Sequence, residues 1–227
     1  LKNNGVLPLK KEKKLRIAVI GPNADALYQQ LGDYTPPLRD GVGVTVLDGI
    51  RNEFKNADVR YALGCTICDD DTSGIAEAEK LAEESDLATL ALGGSSSRFA
   101  GAEFDTNGAA IVGTKLQMDC GEGVDTSDVR LPGAQNELAN AVFESGKPVV
   151  TVLISGRPHA IPEIAEKSDA VLWSFYPGPW GGTAIAEVLS GAADPCGCLP
   201  VSVPRTTGQL PVYYNARASY DVMRYRD

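Results

Sequence analysis

A mostly parallel α/β fold, one sheet with helices on both faces, is predicted by three features of this 227-residue chain. Short apolar runs recur without the alternation of a half-buried strand. Helix-forming stretches separate most of them, and Gly, Pro, Asn or Asp punctuates the joins. Apolar runs of this kind are buried on both sides, which is the condition of parallel strands covered by crossover helices.

Leu15–Gly21 (LRIAVIG) ends in Gly-Pro-Asn and reads as the first strand with its exit turn. Val44–Phe54 is a helix with Thr45 as N-cap, and Asp58–Ala62 a second strand. Ser73–Ser85 carries apolar residues at 75, 78, 81 and 82, the spacing of an amphipathic helix, with Ser73 as its cap. Leu87–Leu92 is the third strand. Beyond a long irregular stretch, Gln135–Phe143 is a helix, Pro148–Ile154 a strong strand, Ile161–Ala165 a short helix and Ala170–Phe175 a strand. Thr183–Leu189 is a helix with Gly191 behind it. Leu199–Val203, bounded by prolines, is expected as a last strand at a sheet edge.

With 43% hydrophobic residues, a chain of this length can bury a core without metals or disulfide staples. A net charge of −9, from 21 basic and 30 acidic residues, argues against nucleic acid or an anionic membrane as main partner. No apolar run approaches the ~20 residues of a membrane span. The chain starts at Leu1 without a Met, in a string that reads as the middle of a longer polypeptide, so the lack of a signal sequence carries no message. Of five cysteines, Cys65-x-x-Cys68 and Cys196-x-Cys198 offer four thiolates, with Cys120 left over. The second pair has the wrong spacing for a zinc knuckle, so ordinary small core residues are the better reading. The odd count leans towards free thiols and a reducing compartment.

The segment Gly93–Gly133 breaks the pattern: about forty residues rich in Gly, Ser, Asp and Glu with no sustained period. It leaves the carboxyl end of a parallel strand, where open α/β sheets place their ligands. No Gly-x-Gly-x-x-Gly follows the first strand, and no Walker loop or Gly-x-Ser-x-Gly elbow occurs. The single histidine, His159, lies just before a helix and is expected to make a structural hydrogen bond to a neighbouring loop. Gly93–Arg98 (GGSSSR) is either an anion nest or a hydrogen-bonded turn. The long loop's carboxylates are Glu103, Asp105, Asp119, Glu122, Asp125 and Asp128; composition alone makes them a solvated surface.

Five segments in order give these residues a context: LKNNGVLPL (1–9), IAVIGPNAD (17–25), GEGVDTSDVRLPGAQNEL (121–138), GKPVVTVLISGRP (146–158) and YPGPWGGTAIAEVLSGAADPCGCLPVSVPR (176–205), followed by GQLPVYYN (208–215). From Leu1 to about Asn215 the chain resembles the C-terminal domain of family 3 glycoside hydrolases, of β-glucosidase and β-xylosidase type. The resemblance implies an α/β sandwich, flavodoxin-like, packed beside an N-terminal (β/α)8 barrel that brings an aspartate nucleophile and is missing from this chain. It implies a loop glutamate as general acid/base, no metal or organic cofactor, and a β-linked glucoside or xyloside as substrate, cut from the chain end with retention. Glu122 holds the Glu-Gly-…-Asp position of the family segment, with Glu103 as runner-up. Residues 216–227 are expected to be a linker towards a further domain, and the fragment alone is expected to be inactive. Thr126 departs from the family's arginine, and Cys196 and Cys198 from its frequent Ser and Arg. Trp173 is expected in the core and Trp180 at a strand end, open to a sugar. The rival reading is a non-catalytic flavodoxin-like module that binds an anion or a protein partner.

Overall fold

The computed structural model describes residues 1–98, 105–107 and 117–215. Its elements are β1 (Lys2–Asn3), β2 (Arg16–Ile20), α1 (Val46–Glu53), β3 (Asp58–Ala62), α2 (Ile75–Glu83), β4 (Leu87–Gly93), α3 (Gln135–Glu144), β5 (Val149–Ile154), α4 (Pro162–Lys167), β6 (Ala170–Trp173) and α5 (Gly181–Ser190). They form one six-stranded sheet in the order β1-β6-β5-β4-β2-β3. All neighbours run parallel except β1, which lies antiparallel to β6.

Every residue of β4 and β5 is buried, as central strands covered on both sides must be. Alternate residues of the strands feed two cores. Ile17, Val19, Val150 and Val152 pack with α1 and α5 through Leu47, Ile50, Phe54, Ile185 and Leu189. Ala18, Ile20, Leu90 and Leu92 pack with α2, α3 and α4 through Ala78, Ala82, Leu138, Val142 and Ile164. The chain therefore leaves β2 towards one face and β4 towards the other. Between these two neighbours the winding reverses, and a crevice opens at their carboxyl ends.

Thr45 caps α1 as expected, accepting the Asp48 N–H at 3.1 Å, and Gly191 ends α5 in the left-handed conformation. Beyond shifts of one or two residues at element ends, three expectations are corrected. Leu199–Val203 is not a strand: Pro200 within it and Pro204 after it cannot donate to a ladder, and β1 already occupies the β6 edge. The last strand stops at Trp173, because Phe175 turns out of the extended region with φ 51°. Ser73 is not the cap of α2, since Gly74 holds that position and the Ser73 N–H is bonded to Asp71 at 2.9 Å.

Helices α1 and α5 meet backbone to backbone. A Cβ at Gly49 would overlap the Gly182 carbonyl, and one at Gly182 would overlap the Thr45 carbonyl. Alanine at 49 gains about 1 kcal/mol of helix propensity, but the overlap forces the helices apart at about 1–3 kcal/mol, so the clash wins. Gly49→Ala is therefore expected to lower the midpoint of urea unfolding. A raised midpoint would show that the crossing gives way freely.

Candidate active site

The loop after β4 starts with its polar groups already engaged. The Gly93 N–H donates to Gln135 Oε1 (2.9 Å), the Gly94 N–H to the Ile154 carbonyl (3.1 Å), and the Ser95 N–H to Asp119 Oδ1 (2.7 Å). Ser95, Ser96 and Ser97 are buried, and the Ser97 N–H turns back to Ser95 Oγ (3.1 Å). Of the two readings of GGSSSR the hydrogen-bonded turn holds. The carboxylate of Asp119 takes the place that an external anion would need.

Gln135 locks the same junction from the far end of the loop. Its amide NH2 points at three carbonyls, Gly93 (2.8 Å), Ile67 (3.1 Å) and Pro132 (3.2 Å), in a fully buried setting. Sequence reasoning assigned this residue only to a helix start; its amide is the natural choice where donors and an acceptor are needed together. Gln135→Glu keeps the shape but sets a carboxylate against three acceptors. The expected cost is about 3 kcal/mol or more, read as a lowered unfolding midpoint. An unchanged midpoint would mean that Gln135 does not hold the loop.

Asp119 also approaches His159, with Oδ2 3.1 Å from Nε2 and both side chains buried. The contact is an ion pair when the ring is protonated, and its alignment falls outside good hydrogen-bond geometry. The ring's other nitrogen lies 3.2 Å from the Val129 carbonyl, so His159 does bond a neighbouring loop. Burial pushes the Asp119 carboxyl up, but His159, the Ser95 N–H and Arg157 overcome it and hold it below the usual carboxylate range. Burial also pushes the thiols up, Cys65 to about 12 and Cys68 to about 11, opposite to what a thiolate ligand requires.

Glu122 stands at the tip of the loop, its side chain 67% exposed, between Gly121 (φ 116°) and Gly123 (φ 74°). Both glycines lie in the left-handed region that a sharp tip needs. The Glu122 N–H donates to Asp33 Oδ2 at 3.3 Å. Arg98 Nη2 donates to the Glu122 carbonyl at 2.8 Å and lies 3.6 Å from Oε2, while Arg98 Nε is 3.3 Å from Asp33 Oδ1. The Tyr34 hydroxyl donates to Glu122 Oε2 at 2.5 Å. Asp33 and Tyr34 belong to the connection after β2, so the crevice between the β2 and β4 exits brings the two loops together. Burial pushes the Asp33 carboxyl up, yet the Tyr34 and Glu122 N–H groups and Arg98 outweigh it and hold it low.

Nearby, Arg157 Nη2 binds Asp125 Oδ1 at 2.6 Å. A cavity of about 500 Å³ lies behind the loop, walled by Asp119, Asn136, His159 and Arg205; Glu122 is not in its wall but stands outside it. Trp173 is partly buried at the end of β6, and Trp180, 58% exposed, precedes α5. Glu103 lies outside the described residues, as does the expected linker 216–227.

The chain is thus a doubly wound α/β domain with an exposed, glycine-flanked glutamate on the loop at its switch point. The chain belongs to glycoside hydrolase family 3. The family model described as glycosyl hydrolase family 3 C-terminal domain matches residues 1–226. The chain is 37% identical to a β-xylosidase of Formosa agariphila, over 97% of this chain and 28% of that protein. It is 36% identical to a periplasmic β-glucosidase of Salmonella typhimurium, over 92% of this chain and 27% of that protein. Among solved structures, a β-glucosidase from Erythrobacter marinus superposes with a TM-score of 0.75 at 36% identity, over 94% of this chain and 29% of its own. The chain thus spans under a third of the length of these relatives.

Proposed function

We propose that this domain is the acid/base half of a retaining, exo-acting β-glycosidase for β-glucosides or β-xylosides. Its site is shared with a (β/α)8 barrel of the same polypeptide that supplies the aspartate nucleophile. The observation that carries this reading is the setting of Glu122: exposed, at a glycine-flanked tip, on the switch-point loop, and held at backbone and carboxylate by a second loop. The substrate class follows from the relatives' names, a β-xylosidase and β-glucosidases.

In the first step Glu122 gives its proton to the glycosidic oxygen as the bond to the anomeric carbon breaks and the barrel's aspartate bonds to that carbon. In the second it takes a proton from water, which attacks the glycosyl-enzyme. A loop tip on a separate domain can bring the two carboxyls to the ~5–5.5 Å that this mechanism needs. The anion-binding alternative is weakened by the Asp119 carboxylate seated on the Ser95 N–H.

The test uses the full-length protein containing this chain, comparing Glu122→Gln and Glu103→Gln on an activated aryl glycoside, with and without azide. Azide needs no base, so rescue of Glu122→Gln, with the azide adduct of the β-sugar as product, supports the assignment. Rescue of Glu103→Gln instead keeps the function and moves the residue. An unaltered rate in both variants ends the proposal.

A further inference from the structure

The residues around Glu122 are not a random rim. Tyr34 takes up a left-handed backbone conformation (φ 56°), an outlier for a bulky aromatic residue. Such conformations persist only where surrounding structure enforces them, and they concentrate at functional sites. Here the enforcing contacts are visible. The Tyr34 N–H is bonded to Asp33 Oδ1 at 2.8 Å. The loop that bears both residues is tied to the connection after β6: the Gly178 N–H donates to the Gln30 carbonyl (2.9 Å) and the Val44 N–H to the Pro179 carbonyl (2.7 Å). Gln30 Nε2 closes the loop on itself by donating to the Val44 carbonyl at 3.0 Å.

Glu122 is consequently held at three points. Asp33 takes its N–H, Arg98 takes its carbonyl, and Tyr34 takes one carboxylate oxygen, Oε2, which Arg98 also faces at 3.6 Å. The first two fix the backbone, and the third fixes the rotation of the carboxyl about its last bond. That rotation decides whether the other oxygen, Oε1, meets a lone pair of a leaving group, and proton transfer is steeply sensitive to such alignment. The phenol stays a donor at neutral pH, since its bond to Glu122 pushes its own titration up.

We propose that Tyr34 is a positioning residue for Glu122, its hydroxyl turning the carboxyl so that Oε1 carries the proton to the glycosidic oxygen, with the Asp33–Arg98 pair as its base. This rests on the reading of Glu122 as the acid/base. The proton moves from Oε1 to the departing oxygen and returns from water in the second step; Tyr34 keeps its own throughout. The ring is 77% exposed beside Glu122.

The experiment is a double-variant cycle in the full-length protein, with Tyr34→Phe, Glu122→Gln and both together. Each is assayed on a series of β-glycosides from dinitrophenyl to alkyl, of whichever sugar is hydrolysed. Phenylalanine keeps the ring and removes only the hydroxyl. Tyr34→Phe is expected to lower kcat/KM ~10-fold for alkyl leaving groups and under ~2-fold for dinitrophenyl, because only a poor leaving group needs the proton. In the Glu122→Gln background the same change is expected to cost nothing more, since the two residues act as one unit. A loss equal for all leaving groups, or a full extra loss in the double variant, would mark Tyr34 as merely structural. Wild-type values for Tyr34→Phe would overturn the proposal while leaving Glu122 in its role. A Glu122→Gln enzyme that retained wild-type kcat/KM for alkyl substrates would remove the acid itself, and Tyr34's role with it.

Discussion

Glu122→Gln is expected to lower kcat/KM for an alkyl β-glycoside by ~10²–10⁴-fold in the full-length enzyme, the usual worth of a general acid. The same variant should lose little at the glycosylation step with a dinitrophenyl substrate, whose leaving group departs as a stable anion. With that substrate the second step becomes limiting, because water must now attack without a base, so a burst of phenol should precede slow turnover. Glutamine preserves the size of the side chain and can still meet Tyr34 and Arg98, so the loop should stay folded. The difference between substrates is therefore the diagnostic quantity. A loss that is uniform from dinitrophenyl to alkyl would mean that Glu122 shapes the loop and transfers no proton.

His159→Ala is expected to destabilise the domain by about 3 kcal/mol, the upper end of the cost of leaving buried polar groups unpaired, because the Asp119 carboxyl and the Val129 carbonyl both lose the ring that faces them. The Asp119 carboxyl is almost completely buried, and truncation leaves Oδ2 facing an empty space. Asp119 is also held below the usual carboxylate range in the folded domain. A depressed carboxyl contributes stability above its unfolded value, near 4, and that contribution disappears as pH falls through the lower folded value. The wild-type domain should accordingly lose stability below about pH 4, and Asp119→Asn should lose less of it over that window. Urea titrations at pH 7 and pH 3 check both statements. Equal midpoints for wild type and His159→Ala at pH 7 would show that the pair does not hold the loop to the β5 exit.

The parallel strands were legible because they carry their own signal: LATLALG and VVTVLI are apolar but for one threonine each and show no alternation, as doubly covered strands do. The long loop was legible as a gap in that pattern, and the family segment within it singled out Glu122 as a candidate. Other features leave no local trace. β1 has two residues, too few for any period, and its pairing with β6 spans most of the chain. That pairing takes the β6 edge, and Pro200 and Pro204 keep Leu199–Val203, with its apolar residues of strand type, out of a ladder. Asp33 and Tyr34 lie 88 or more residues before Glu122 in the chain, and only the reversal of winding between β2 and β4 makes them neighbours. The Asp119–His159 contact and the triple carbonyl grip of Gln135 are likewise products of topology, with no spacing in sequence to announce them.

The glycine crossing of α1 and α5 and the Gln30–Gly178 and Val44–Pro179 bonds are all made by main-chain atoms. Every amino acid supplies the same N–H (proline apart) and the same carbonyl, so once Gly49 and Gly182 are kept, this seam is largely indifferent to what the surrounding side chains become. Volume-conserving changes at Ile185 or Leu189 can be absorbed by repacking of the core, while the main-chain bonds keep the Tyr34 loop at its spacing from α5. Side chains at the mouth of the crevice can therefore change one at a time, because the frame that aims them is written in the backbone.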